Sequence, residues 1–187
     1  MSAQTLSQER PFTAEDLERL SAQGFRYELL RGELIEMSPA GFPHGAFTLR
    51  LIGPASAYVY ANNLGECTAA ETGFKVAQDP DTVLAPDWAF VAQDRLPEGW
   101  ENAGFLALAP DLVLETRSPG DTKRALRDKA KEWINAGVLI VWTLDVTART
   151  LTVYRKGREP QTLGPEDTLT GEEALPGFTY PLSRLFR

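Results

Sequence analysis

The chain has 187 residues and very little sulfur: one cysteine, Cys67, and two methionines. A single cysteine excludes an internal disulfide framework and a thiolate metal cluster. No apolar run approaches the roughly 20 residues needed to cross a bilayer. The first dozen residues, MSAQTLSQERPF, lack the basic start and continuous apolar stretch of a signal peptide, so a cytoplasmic location without a membrane partner is expected. Basic residues are also short, 19 against 26 acidic ones, giving a net charge of -7. A general nucleic-acid binder shows a basic surface, because affinity comes largely from neutralised phosphates. Nucleic acid could bind this chain only through a local groove, since acidic surface elsewhere contributes little beyond about 8–10 Å.

What is present is ordinary globular material, 43% apolar and 24% charged. There is no internal repeat or low-complexity linker, so one domain over residues 1–187 is expected, with 1–12 as a flexible N-terminus. Thr13 is a candidate N-cap, with Asp16 at the third helical position, and Gly24 suits the stop. YELLRGELIEM (27–37) reads as a hairpin turning at Arg31-Gly32. Pro39 to Gly45 reads as a loop, and the helical spacing that follows is kinked or split at Gly53-Pro54. TGFKVA and VLAPDWAFV read as strands around a DPD turn at 79–81. PDLVLETRS (110–118) is a buried strand ended by Ser118-Pro119-Gly120. Asp121 to Ala136 is the clearest helix, with Gly137 as its stop. VLIVWTLD (138–145) is a continuous apolar strand that pairs with LTVYR through a turn at Thr147–Arg149. The order of elements predicts a mixed α/β domain.

Two acids stand at the ends of apolar strands, Asp87 in APDWAF and Glu115 in DLVLET. A carboxylate there is costly to bury unless paired, hydrogen-bonded or bound to metal. Two converging carboxylates suit Mg²⁺, which keeps waters and binds substrate phosphate. Each acid could equally cap its strand or pair with an arginine. On the helix that follows, Leu126, Ala130, Trp133 and Ile134 form one apolar stripe. Lys129 borders it and could reach the sheet, or snorkel and leave its ammonium in water.

The blocks YELLRGELIEMSP (27–39), APDWAFV (85–91), PDLVLETRSP (110–119) and K-x-x-x-W-x-x-x-G-V (129–138) resemble, in this order, the Uma-two family of restriction endonucleases. That family lies within the PD-(D/E)XK nuclease superfamily, and the resemblance runs from about Tyr27 to Tyr154. It implies a restriction-endonuclease-like mixed β-sheet flanked by helices, with additional N-terminal hairpin strands. It also implies cleavage of nucleic acid, most naturally DNA, with Mg²⁺ or Mn²⁺ as cofactor. Asp87 matches the aspartate of the PD element and Glu115 the second metal-binding acid. Lys129 matches the helix lysine that substitutes for the one usually two positions after the acid. Glu28 matches the acid of YEL, and His44 the histidine after the SP block, though a histidine beside Gly41, Pro43 and Gly45 also suits an ordinary surface loop.

Metal ligands are then expected from Asp87, Glu115 and the backbone carbonyl of Thr116. Lys129 would orient the attacking water or offset charge, Glu28 would help hold metal or water, and His44 would contact phosphate or move a proton. Arg117 departs from the superfamily, standing where a lysine is usual. On an alternating strand it shares Glu115's face. Permanently charged, it could hold substrate phosphate, or it could pair with Glu115 or Asp111 and compete with metal. Cutting two strands makes a homodimer a reasonable expectation. The main alternative is a catalytically inactive module of this fold that binds nucleic acid or a protein partner. Paired-carboxylate glycoside hydrolysis is a third reading, but it gives the lysine helix no role.

Overall fold

Local signals fix most of the element ends in the computed structural model, which describes residues 10–118 and 120–187. In chain order the elements are α1 (Ala14–Ala22), β1 (Tyr27–Leu30), β2 (Glu33–Glu36), α2 (Phe42–Ala61), β3 (Gly65–Ala69), β4 (Phe74–Ala77), β5 (Thr82–Leu84) and β6 (Trp88–Ala92). Then follow β7 (Leu112–Thr116), α3 (Lys123–Ala136), β8 (Ile140–Asp145), β9 (Thr150–Arg155), β10 (Gln161–Leu163), β11 (Thr168–Thr170), β12 (Thr179–Pro181) and α4 (Leu182–Leu185). No described helix is long and apolar enough to cross a membrane. The described residues fall into two compact units whose segments alternate along the chain.

The first unit comprises the chain up to Pro39 together with Glu71–Ala85 and Pro97–Ala109. Thr13 caps α1 in a reciprocal box with Asp16, as its spacing predicts. The hairpin turns at Arg31 and Gly32, with φ of 51° and 80°. Both lie in the left-handed region that a two-residue primed turn requires. A Cβ at Gly32 would also stand 2.5 Å from that of Pro11. The sheet runs in the order β2-β1-β5-β4, and α1 covers it through Leu17, packed with Leu29, Leu34 and Val83. The expected flexible segment falls, for residues 1–9, outside the described residues. Residues 10–12 are held, since Phe12 is buried and its N–H donates to the Gly32 carbonyl at 2.9 Å.

The second unit comprises Ala40–Ala70, Pro86–Leu96 and the chain from Pro110 onward. Its six-stranded sheet runs β10-β9-β8-β7-β6-β3. β7 and β8 are parallel and the other neighbours antiparallel, so the sheet is mixed as expected. α3 makes the crossover between the parallel pair. It starts at Lys123 under a Thr122 cap, two residues later than the sequence reading, and stops at Gly137 with φ 106°. β8 is buried along its whole length, as its continuous apolar run requires. On one face Leu112, Leu114, Ile140, Trp142 and Leu144 pack against Leu51, Ala55 and Val59 of α2 and against the C-terminal segment. The alternation of strand side chains sends Val113, Glu115, Thr143 and Asp145 to the other face, where α3 lies.

Two expectations need correction. VLAPDWAFV is two strands rather than one, because β5 ends at Leu84 and β6 begins at Trp88 in a different sheet. Both are buried, so a continuous apolar run cannot reveal the break. Residues 42–45 are also not loop, and Pro54 does not split the helix: α2 runs unbroken from Phe42 to Ala61. Pro43 sits in the first turn, where its missing N–H costs nothing. Pro54 has no hydrogen to give the Arg50 carbonyl, which instead accepts one from the Tyr180 hydroxyl at 3.0 Å. Tyr180→Phe is therefore expected to destabilise the protein by about 1 kcal/mol, the net contribution of a typical intramolecular hydrogen bond. Urea unfolding measures this, and an unchanged midpoint would contradict it.

Candidate active site at the carboxyl end of β7

In a parallel pair the carboxyl ends of the strands leave a crevice where ligands commonly bind. Glu115 and Thr116 close β7 there and point to opposite faces of the sheet. Asp87, just ahead of β6, secures the backbone on either side of Glu115. Its N–H donates to the Leu114 carbonyl at 3.1 Å, and its Oδ2 accepts the Thr116 N–H at 2.6 Å. The PD pair and the LET strand end, 28 residues apart, are thus tied by one carboxylate.

Glu115 is only 5% exposed. A buried carboxylate is tolerated when charge and hydrogen bonds compensate its lost hydration. Its Oε1 accepts the Trp133 indole N–H at 2.7 Å and lies 3.1 Å from the Lys129 ammonium. Lys129 and Trp133 are one turn apart on α3, so a single helix face supplies both donors. Lys129 therefore reaches inward rather than snorkelling away. Trp133 read in the sequence as apolar stripe alone, although a buried indole N–H needs a partner and could have signalled one.

His44 is buried in the first turn of α2 and is not a surface-loop residue. Its Nε2 lies 2.9 Å from the Thr116 carbonyl and 3.3 Å from Asp87 Oδ2. A carbonyl only accepts, so Nε2 carries the hydrogen. The Asp87 hydrogen bond raises the imidazole pKa above its ordinary value against the opposing effect of burial, with help from the Asp87 charge, Thr116 carbonyl and Glu115. One turn on, Thr48 Oγ1 meets Thr116 Oγ1 at 2.7 Å. No sequence motif marked Thr48, but its position four residues after His44 places it on the same helix face.

Arg117 pairs with neither Glu115 nor Asp111. Its Nη1 lies 2.8 Å from Asp145 Oδ2 at the end of β8, and its Nε donates to the Asp121 carbonyl at 3.0 Å. Asp111 pairs with Arg95 at 2.7 Å. Burial opposes ionisation of Asp145, but the Ala148 amide and the Arg117 guanidinium outweigh it and hold the carboxyl below its ordinary value. Glu28 belongs to the first unit, where its buried carboxylate accepts the Ala85 N–H at 2.8 Å.

Asp87, Glu115 and the Thr116 carbonyl are all hard oxygen donors, and the carbonyl keeps a second lone pair beside its bond to His44. Among the described residues no three His, Cys, Asp or Glu side chains converge as a metal group. Two carboxylates and a carbonyl fit Mg²⁺ or Mn²⁺, which leave much of their shell to water and phosphate. They do not fit a closed tetrahedral zinc site. Thiol chemistry is disfavoured, because burial pushes the Cys67 thiol up to about 11. Iodoacetamide at neutral pH should label Cys67 far more slowly than an exposed cysteine, and labelling at the exposed rate would contradict this.

The crystal structure of a putative nuclease belonging to DUF820 from Anabaena variabilis ATCC 29413 matches with a TM-score of 0.82 at 18% identity, covering 94% of this chain and 98% of that one. The shared architecture bears out the expected nuclease fold, a mixed α/β arrangement with helices flanking the sheet. No curated protein matches the chain. The model of the Uma2 family, described as "Putative restriction endonuclease", matches residues 14–183. That span holds Asp87, Glu115 and every side chain found around them, and the chain belongs to the Uma2 family.

Proposed function

We propose that the chain is a Mg²⁺- or Mn²⁺-dependent endonuclease that hydrolyses phosphodiester bonds of DNA. The observation that carries this reading is the pair of acids tied to one strand end, with Lys129 held beside Glu115. Asp87, Glu115 and the Thr116 carbonyl would hold the cation. Bound there, such an ion supplies an activated water and offsets charge on the phosphoryl oxygens.

The chain's own groups account for the rest. The Lys129 ammonium stabilises the negative charge that builds on the phosphoryl oxygens as water adds and the P–O bond breaks. His44, with a raised pKa and a hydrogen on Nε2, is suited to contact phosphate or hand a proton to the leaving oxygen. Arg117, fixed by Asp145, is suited to hold a substrate phosphate. Glu28 accepts the Ala85 N–H within the first unit. A cytoplasmic homodimer would place two such sites on a duplex.

Purified protein incubated with supercoiled plasmid or branched DNA is expected to nick it with Mg²⁺ or Mn²⁺ and to stop on chelation by EDTA. Cleavage that survives Asp87→Ala combined with Glu115→Ala would overturn the assignment.

A further inference from the structure

A cleft of about 390 Å³ opens on the α3 face of the second unit's sheet, lined in part by Thr143, the register partner of Glu115. Its floor is a row of hydroxyls set by strand register. Glu115 of β7 pairs with Thr143 of β8, Thr143 with Thr152 of β9, and Thr152 with Thr162 of β10. Paired residues in a sheet share a face, so the row starts at the Glu115 carboxylate and crosses three strand gaps, roughly 14 Å at the usual spacing. Thr152 and Thr162 touch through their hydroxyls at 3.0 Å. The opposite face of the same strands is apolar, with Trp142, Leu144, Leu151 and Val153 in the core. A fold needing only a second core here would carry aliphatic residues in place of these threonines.

The wall of the cleft is basic. Lys123, Arg124 and Arg127, from the first two turns of α3, all line it. Arg124 and Arg127 share one acid, Asp128, at 3.5 Å and 3.9 Å. The acid that lines the cleft, Asp145, is matched by Arg117. The local charge is therefore positive in a chain whose net charge is -7. Basic side chains with threonine hydroxyls form the usual partner set for phosphate oxygens.

Resting on the nuclease reading of Glu115, we propose that this cleft is the track for the sugar–phosphate backbone of the cleaved DNA strand. Lys123, Arg124 and Arg127 position that backbone, the threonine row lies beneath it, and the scissile phosphate sits at the Glu115 end.

The test is anisotropy of a fluorescein-labelled single-stranded DNA oligonucleotide with the full chain in EDTA, where no cleavage intervenes. Lys123→Gln, Arg124→Gln and Arg127→Gln together should weaken binding by roughly tenfold or more and reduce the slope of log affinity on log salt by about two to three. Lys156→Gln, Arg158→Gln and Arg184→Gln, which change the charge equally at residues outside the cleft, should leave binding near wild type. Thr152→Val should weaken binding and Thr152→Ser should restore it, which a general charge effect would not do. Circular dichroism confirms that each variant is folded. The proposal is overturned if wild type binds no oligonucleotide, if the cleft variant binds like wild type, or if both triple variants lose equally. A plasmid-cutting wild type whose KM is unmoved in the cleft variant would overturn the track and leave the nuclease standing. Loss of binding in the cleft variant without any wild-type cleavage would keep the track as a DNA site and discard the nuclease.

Discussion

Replacing Asp87 with asparagine, or Glu115 with glutamine, is expected to lower the rate of plasmid cleavage by about a thousandfold. Both exchanges are nearly isosteric. The asparagine oxygen can still accept the Thr116 N–H now bonded at 2.6 Å, and the glutamine oxygen can still accept the Trp133 indole at 2.7 Å. What disappears is negative charge at the proposed cation ligands, and a loss of several kcal/mol in transition-state stabilisation corresponds to about 10³ in rate. Oligonucleotide affinity in EDTA should not fall with either change, because removing a carboxylate removes repulsion. A fall of less than about tenfold in rate, with the fold intact, would mean that the charges are structural.

The largest stability effect is expected at Trp142. Its side chain is fully buried between Trp88, parallel to it at 6.2 Å, and Phe178 at 6.1 Å. Trp142→Ala should cost about 3–5 kcal/mol, since it removes the apolar contact and leaves a cavity that rigid neighbours cannot fill. Domains of this kind have only about 5–15 kcal/mol in total. The urea midpoint should drop sharply, and a cost below about 1 kcal/mol would show that the aromatic stack contributes little.

Much of the site was legible where chemistry and local spacing coincide. A carboxylate at the end of an apolar strand is costly, so Asp87 and Glu115 stood out. Lys129 beside the Leu126–Trp133 stripe had a direction to lean. The hairpin at Arg31-Gly32 and the stop at Gly137 follow from backbone conformations that few residues accept. His44 was harder, because Pro43 between two nearby glycines suits a loop as well as a first helical turn. The division of VLAPDWAFV was hidden because both of its strands are buried. Arg117's partner and the threonine row depend on strand register, which joins residues 115, 143, 152 and 162 with no local trace in the chain.

The bond from Tyr180 to the Arg50 carbonyl also has a temporal meaning. It spans 130 residues, and it satisfies the carbonyl that Pro54 leaves without a partner inside α2. As the chain emerges from the ribosome, the helix carrying His44 and Thr48 waits for β12 before its backbone bonding is complete. Contacts of such separation close late, because the intervening loop entropy must be overcome first. The strand end that carries Glu115 is tied to α2 through Thr116, and α2 in turn to the C-terminal segment through Tyr180.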